Sequence, residues 1–402
     1  MTLTLVSRPL SEFTDREPLL DSLVGPQDAL FVRNDLGIAG LGVLADGNHA
    51  EIQRLLGDAR IDGDTEQPGT AGVAVGWHSF DGSRGRAVVP RLCFTRAAQG
   101  DTWVTFPVGD ESAVVSALQV DESVRVDTAS FSVRPGIPVD RYLAAVAAAR
   151  DAVRRGEIEK AVIARDVIVD SSAPMHLPSL LRRLRASFGS SYRYSVDGLV
   201  GASPELLVER LGDLVRSHPL AGTTPRTGDP ENDARLAAHL RASEKNRIEH
   251  RIVIEMVHDT LLRWCSYLDW QPEPDVVAVA NVQHLGTRVE GRLSSPLPHV
   301  FELVAALSPT PALGGHPRDL ALQLIAQHEG MDRGRYGGAV GWYDAKGDGT
   351  WAVTIRCAEF SENWRQARLF AGGGIVADSI PSAELAETQA KFQAMLAAIV
   401  RP

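Results

Sequence analysis

The sequence predicts an α+β protein with a large antiparallel sheet body, and three observations carry that expectation. Strand-like and helix-like stretches follow one another without regular alternation, which argues against a doubly wound parallel sheet. No internal repeat, low-complexity tract or linker divides the chain, so residues 1–402 are expected to form one body. The composition is ordinary for a globular protein, with 402 residues, 44% hydrophobic and 23% charged. A chain of this length buries about three quarters of its unfolded surface, so its core needs no disulfide or metal staple.

Taken in order, residues 1–135 read as strand-rich. Short apolar runs such as Ala29–Arg33 and Gly72–Trp77 lie between polar and glycine-rich turns. Pro138 to Arg155 has Ala and Val at helical spacing, with Asp140 as candidate cap. Lys160 to Val169 is β-branched and reads as a strand, and Leu177 to Phe188 as a helix. Tyr192 to Val196 is a predicted strand and Gly198 to Gly201 a turn. Leu206–Arg210 and Leu214–His218 flank Gly212-Asp213 as a hairpin. Pro230 to Leu268 is the longest helical stretch, with a bend near Ser243. Val276 to Glu290 is strand-rich, and Val300–Leu307 and Pro317–Glu329 are helical. Gly338–Tyr343 and Trp351–Phe360 are predicted strands. Arg368 to Val376 is a strand interrupted by Gly372, Gly373 and Gly374, and Ala383 to Val400 closes the chain as a helix.

The net charge is -10, from 41 basic and 51 acidic residues. That balance disfavours nucleic acid, whose phosphates require clustered basic residues. The three cysteines, Cys93, Cys265 and Cys357, are far apart and form no CxxC pair. A reducing cytoplasm suits that usage. The first ten residues lack the basic and apolar regions of a signal peptide. No apolar run approaches the ~20 residues that cross a bilayer, so no membrane partner is expected.

Near the C-terminus, Glu384, Glu387 and Lys391 stand at i, i+3 and i+7, which share one helix face. Just upstream, three glycines open the backbone to close approach by a ligand. Two carboxylates and a cation beside such a strand suit a magnesium ion bridging to an anionic substrate.

Five segments in order resemble the chorismate-utilising enzymes, and most closely the isochorismate synthases. They are Glu157-Ile-Glu-Lys-Ala-Val-Ile-Ala-Arg165, Gly201-Ala-Ser-Pro-Glu-Leu-Leu207, Pro219-Leu-Ala-Gly-Thr-Thr-Pro-Arg226 and Ser243-Glu-Lys-Asn-Arg-Ile-Glu-His250. The fifth runs from Ser308-Pro-Thr-Pro-Ala-Leu-Gly-Gly315 through Arg335-Tyr-Gly-Gly-Ala-Val-Gly-Trp342 and Thr354-Ile-Arg-Cys-Ala-Glu359 to Lys391. The resemblance spans residues 136–402 and leaves 1–135 as a divergent N-terminal part. It implies the fold of anthranilate synthase component I, a large antiparallel β-sandwich flanked by helices.

What the resemblance implies for function is specific. Lys160 stands at the general-base position and Glu205 at the general-acid position. Glu249 and Glu387 match the magnesium carboxylates, and Glu384 a helper that binds a magnesium water. Arg356 and Lys391 match the cations that hold substrate carboxylates. Thr223, Ala312 and the glycines Gly372, Gly373 and Gly374 match substrate contacts, with Tyr336 and His284 as further pocket residues. Asn246 replaces an acidic residue common in relatives, and Gly373 an alanine. The expected reaction adds water at C2 of chorismate with loss of the C4 hydroxyl, which needs a base on one side and an acid on the other.

The residues also admit other readings. Lys245 and Glu249, four apart on a helix, are placed to pair with each other. Salicylate synthases share the base, acid and metal positions and go on to eliminate pyruvate. Lys160 argues against the aminating anthranilate synthases. Ala221 stands where aminodeoxychorismate synthases carry a nucleophilic lysine. No glutamine-amidotransferase domain is fused to the chain. A non-catalytic chorismate-binding protein is the alternative of a different class. A monomer is expected, and analogy to siderophore and menaquinone enzymes gives the pathway expectation.

Overall fold

A computed structural model describes residues 3–63, 66–98, 100–119 and 129–401. Its strands form one continuous 20-stranded hydrogen-bonded system and a separate three-stranded sheet. Among the described residues the sole parallel pairing joins Thr4–Pro9 to Arg60–Gly63; the remaining pairings are antiparallel. The antiparallel expectation therefore holds. Helices pack on the outside around two apolar clusters, one rich in Tyr343, Trp351 and Val304, the other in Phe94, Phe106 and Phe392.

The central strand is Lys160–Ser171, whose residues from Lys160 to Val169 are all buried. Apart from Lys160, Arg165 and Asp166 the run is apolar and mostly β-branched, as suits a strand covered on both faces. It pairs along ten positions with the glycine-bearing strand Gln366–Ile375, setting Gly374 opposite Val162 and Gly372 opposite Ala164. Its other edge meets Gly315–His316 and Phe131–Pro135. The N-terminal strands join the same system: Ala29–Arg33 pairs with Tyr192–Val196, and Val73–His78 with Ala339–Asp344.

Several local expectations are corrected. The helix from Val139 to Arg154 begins after Pro138, and Asp140 sits in its first turn without making a capping hydrogen bond. The turn expected at 198–201 falls one residue earlier. Asp197 and Gly198 take positive φ, and Leu199–Ser203 is a strand paired with Tyr192–Val196. Aspartate followed by glycine is the pairing such a hairpin turn demands.

The stretch 230–268 holds two helices, Pro230–Ala242 and Glu244–Leu262, broken at Ser243 as expected. It does not continue to Leu268. Cys265–Trp270 is a strand paired with Val289–Leu293. Tyr267 and Trp270 suit a pleated surface better than a helix interior. The stretch 351–360 is likewise two strands, Gly349–Val353 and Cys357–Phe360, separated by Thr354–Arg356. Arg356, expected within a strand, lies in that break with φ 51°. The glycine strand, by contrast, runs unbroken. Its glycines serve close packing rather than interruption.

Candidate active site

Four elements converge on one open-mouthed cavity. Ser243 caps the helix Glu244–Leu262 by accepting from the Asn246 N–H at 3.4 Å, which sets Lys245, Asn246 and Glu249 toward the cavity. The helix Pro381–Val400 contributes Glu384, Glu387 and Lys391 from a single face, as their spacing predicts. The strand Leu220–Pro225 passes close to the first helix because Gly222 takes φ 73°. A Cβ there would lie 3.1 Å from that of Asn246. The glycine strand forms the floor.

Of the residues predicted for the site, Glu205, Thr223, Glu249, His284, Ala312 and Tyr336 line this cavity. So do Arg356, Gly372, Gly374, Glu384, Glu387 and Lys391. Two do not. Gly373 pairs with Ile163 in the ladder, and a Cβ on it would meet Glu384 Oε2 at 2.8 Å rather than open space. Strand alternation turns it away from the face shared by Gly372 and Gly374. Lys160 is 1% exposed and sits just behind the wall, its Nζ donating to Glu249 Oε1 at 2.8 Å. Gly374 makes that placement possible, since a Cβ there would meet Glu249 Oε1 and Lys160 Cε, each at 2.8 Å.

The charges are arranged in pairs. Glu249 pairs with Lys160 across the fold, not with its helix neighbour Lys245. Glu387 pairs with Lys391 at 2.6 Å, and Lys391 also donates to the Gly372 carbonyl at 2.7 Å. Burial works against the charge on Glu387, but Lys391, Arg356 and Lys245 outweigh it and hold its carboxyl below the usual range. Glu384 accepts from the Ser379 hydroxyl at 2.8 Å. Burial, then the neighbouring Glu387, raises its carboxyl.

Glu205 behaves oppositely to Glu387. It is 2% exposed, and burial pushes it up to about 8 despite the Leu220 N–H and the cations Lys160 and Arg356. A carboxyl in such surroundings keeps its proton at neutral pH and can donate it.

Arg356 faces the cavity with its guanidinium pKa lowered by burial. The rim is completed by Lys245, which sequence spacing assigned instead to Glu249. Leu313, Ile355 and Phe370 add apolar walls. Nothing in the chemistry of those apolar residues marks them in a sequence. Tyr336 stacks on Phe370 with ring centroids 5.2 Å apart and interplanar angle 9°.

Glu249, Glu384 and Glu387 form an oxygen-only donor set without thiol or imidazole, which suits a hard cation such as magnesium. Among the described residues, no three His, Cys, Asp or Glu side chains are already gathered as a metal cluster. Glu249 and Glu387 are each occupied by a lysine ammonium. Among the described residues, no helix is long and apolar enough to cross a membrane.

Comparison with known proteins places the chain in a family. Residues 45–400 match the family model described as chorismate binding enzyme. Isochorismate synthase DhbC of Bacillus subtilis is 40% identical over 295 residues, covering 70% of this chain and 74% of that protein. Isochorismate synthase MenF of Bacillus subtilis is 34% identical over 339 residues, covering 80% and 71%. The solved structure of MenF, the menaquinone-specific isochorismate synthase from Escherichia coli, superposes with a TM-score of 0.82 at 24% identity. It covers 98% of this chain and 94% of that one, a likeness of fold. Anthranilate synthase component I from Streptococcus pneumoniae shares the fold at a TM-score of 0.68 and 23% identity, over 95% of this chain and 86% of that one. By its family match and its relatives, this chain belongs to the chorismate-binding enzymes.

Proposed function

We propose that the protein is a magnesium-dependent isochorismate synthase. The observation that carries the reading is a buried carboxyl that keeps its proton in a pocket whose wall is backed by a buried lysine. Glu205 is raised to about 8, and Lys160 lies 1% exposed behind Glu249. Lys160 takes a proton from the water that adds at C2 of chorismate. Glu205 gives its proton to the C4 hydroxyl, which departs as water, so one water enters and one leaves and the product is an isomer. Arg356 and Lys391 receive substrate carboxylates, the former through a planar fork matched to a carboxylate. Leu313, Ile355 and Phe370 limit water in the rest of the pocket.

Glu249 and Glu387, with Glu384, are the residues that would hold magnesium. When bound, that ion supplies positive charge for the ring carboxylate. The Bacillus subtilis relatives are isochorismate synthases, which supports the same reaction here. The test is chromatography of purified protein incubated with chorismate, with and without magnesium. Isochorismate accumulating only with magnesium is the expected result. Salicylate with pyruvate would replace the reading with salicylate synthesis. No product in either condition would replace it with a non-catalytic binding protein.

A further inference from the structure

Arg356 carries five N–H donors. Among the described residues its side chain makes a single hydrogen bond, from Nη2 to Nε2 of His284 at 3.3 Å, and no carboxylate stands within ion-pair distance of it. Its backbone is left-handed, with φ 51°. A long side chain persists in that region where its surroundings hold it. The Arg356 carbonyl accepts from the Ala202 N–H at 3.0 Å, and His284 meets the far end of the side chain.

The protonation of His284 follows from its partners. A guanidinium donates at every pH, so Nε2 must accept and the ring proton belongs on Nδ1. Nδ1 lies 3.2 Å from the Gly222 carbonyl oxygen and 3.1 Å from Thr223 Oγ1. A carbonyl accepts only, so Nδ1–H donates to it. The ring is 8% exposed. Burial, then the facing cations Arg356 and Lys391, lower its pKa to about 3, against a smaller opposing effect of the Gly222 carbonyl. It stays neutral throughout the physiological range.

We propose that His284 is a positioning residue: as a neutral Nδ1–H imidazole it holds the Arg356 fork at the cavity wall through Nε2 and ties it to the strand carrying Gly222 and Thr223. The ligand class it serves is a planar carboxylate docking on Arg356. This inference rests on the proposed role of Arg356 in receiving a substrate carboxylate.

Two measurements test it. In the first, His284→Phe keeps a ring and removes both nitrogens, while His284→Gln can still present an acceptor to Arg356. Loss of a charge-assisted hydrogen bond predicts a kcat/KM lowered roughly 10- to 100-fold in the Phe variant, mainly through KM, with most of it recovered in the Gln variant. The same His284→Phe change made in an Arg356→Met background, assayed with enzyme in excess, is expected to add nothing further. A full additional loss in that background would show that His284 does not act through Arg356 and would overturn the proposal.

In the second, nitrogen-15 NMR of the unmodified protein is expected to show Nδ1 protonated and Nε2 bare from pH 5 to 9. A proton on Nε2, or an imidazolium in that range, would overturn it too. This measurement needs no substrate. An enzyme inactive on chorismate would therefore sink the functional reading while leaving the His284 tautomer to be judged separately.

Discussion

Replacing Glu205 with glutamine should stabilise the protein at alkaline pH while sharply lowering turnover. Glutamine preserves shape and an acceptor for the Leu220 N–H, which lies 3.4 Å from Glu205 Oε1. In the folded chain the carboxyl titrates at about 8, against an ordinary value of 4.5. Between those values the folded state holds a proton that the unfolded state has released, so stability falls as pH rises. The contribution is fully present below pH 4.5 and lost as pH passes through about 8. At roughly 1.4 kcal/mol per pH unit, the accumulated loss is on the order of 5 kcal/mol. The variant has no proton to lose there and escapes it. Urea unfolding followed by tryptophan fluorescence, repeated from pH 4.5 to 9, gives the difference between variant and parent directly. That difference should grow in favour of glutamine across the window. A flat difference would mean that Glu205 is already ionised in the fold, and its assignment as proton donor would fail. Turnover, meanwhile, should drop by roughly 10²- to 10⁴-fold, the usual contribution of a positioned acid.

Lys160→Ala should abolish water addition while the protein remains folded; normal turnover by a folded variant would remove Lys160 from the mechanism. Gly374→Ala should cost about 1–3 kcal/mol through overpacking and impair activity, because its methyl meets both members of the Lys160–Glu249 pair. Gly373→Ala should cost less in melting temperature, since its methyl meets mainly the carboxylate end of Glu384 rather than both members of that pair. Equal effects from the two would contradict the assigned faces. Arg333→Met should destabilise by about 3–5 kcal/mol, because it strands Glu329, whose side chain is 1% exposed, without its partner. Chemical denaturation measures that loss, and a change under 1 kcal/mol would refute it. Glu387→Gln should weaken magnesium binding measured by calorimetry, and an unchanged titration would move the ion elsewhere.

Much of the site was legible because its chemistry needs particular residue types. Glu384, Glu387 and Lys391 share a face for the simple reason that 3.6 residues make a helical turn. Ser243 was legible as a helix break because its hydroxyl caps the helix Glu244–Leu262. Matters of tertiary choice could not be read. Glu249 had a lysine four residues away and instead took Lys160, 89 residues distant. Local spacing cannot anticipate a buried partner arriving from another strand. Arg356 looked like a strand residue among Val353, Thr354 and Cys357, yet the chain turns left-handed there. The helix ending at Leu262 was overrun for a related reason: pairing with Val289–Leu293 decides the fate of Cys265–Trp270. Gly373 was grouped with its neighbours by sequence, and only alternation along a continuous strand separates it from them.

The pairing of Lys160–Ser171 with Gln366–Ile375 has a consequence for how the protein is made. Asp166 and Arg368, which bond at 2.7 Å, are separated by 202 positions. During synthesis the base-bearing strand leaves the ribosome long before the strand that will cover one of its edges. For that interval a long β-branched segment presents unsatisfied amides and carbonyls, the kind of edge that recruits other chains. The last helix, which brings Glu384, Glu387 and Lys391, arrives later still. A polypeptide stalled anywhere before Gln366 thus carries the Lys160–Ser171 strand with that edge uncovered, and aggregation is its expected fate.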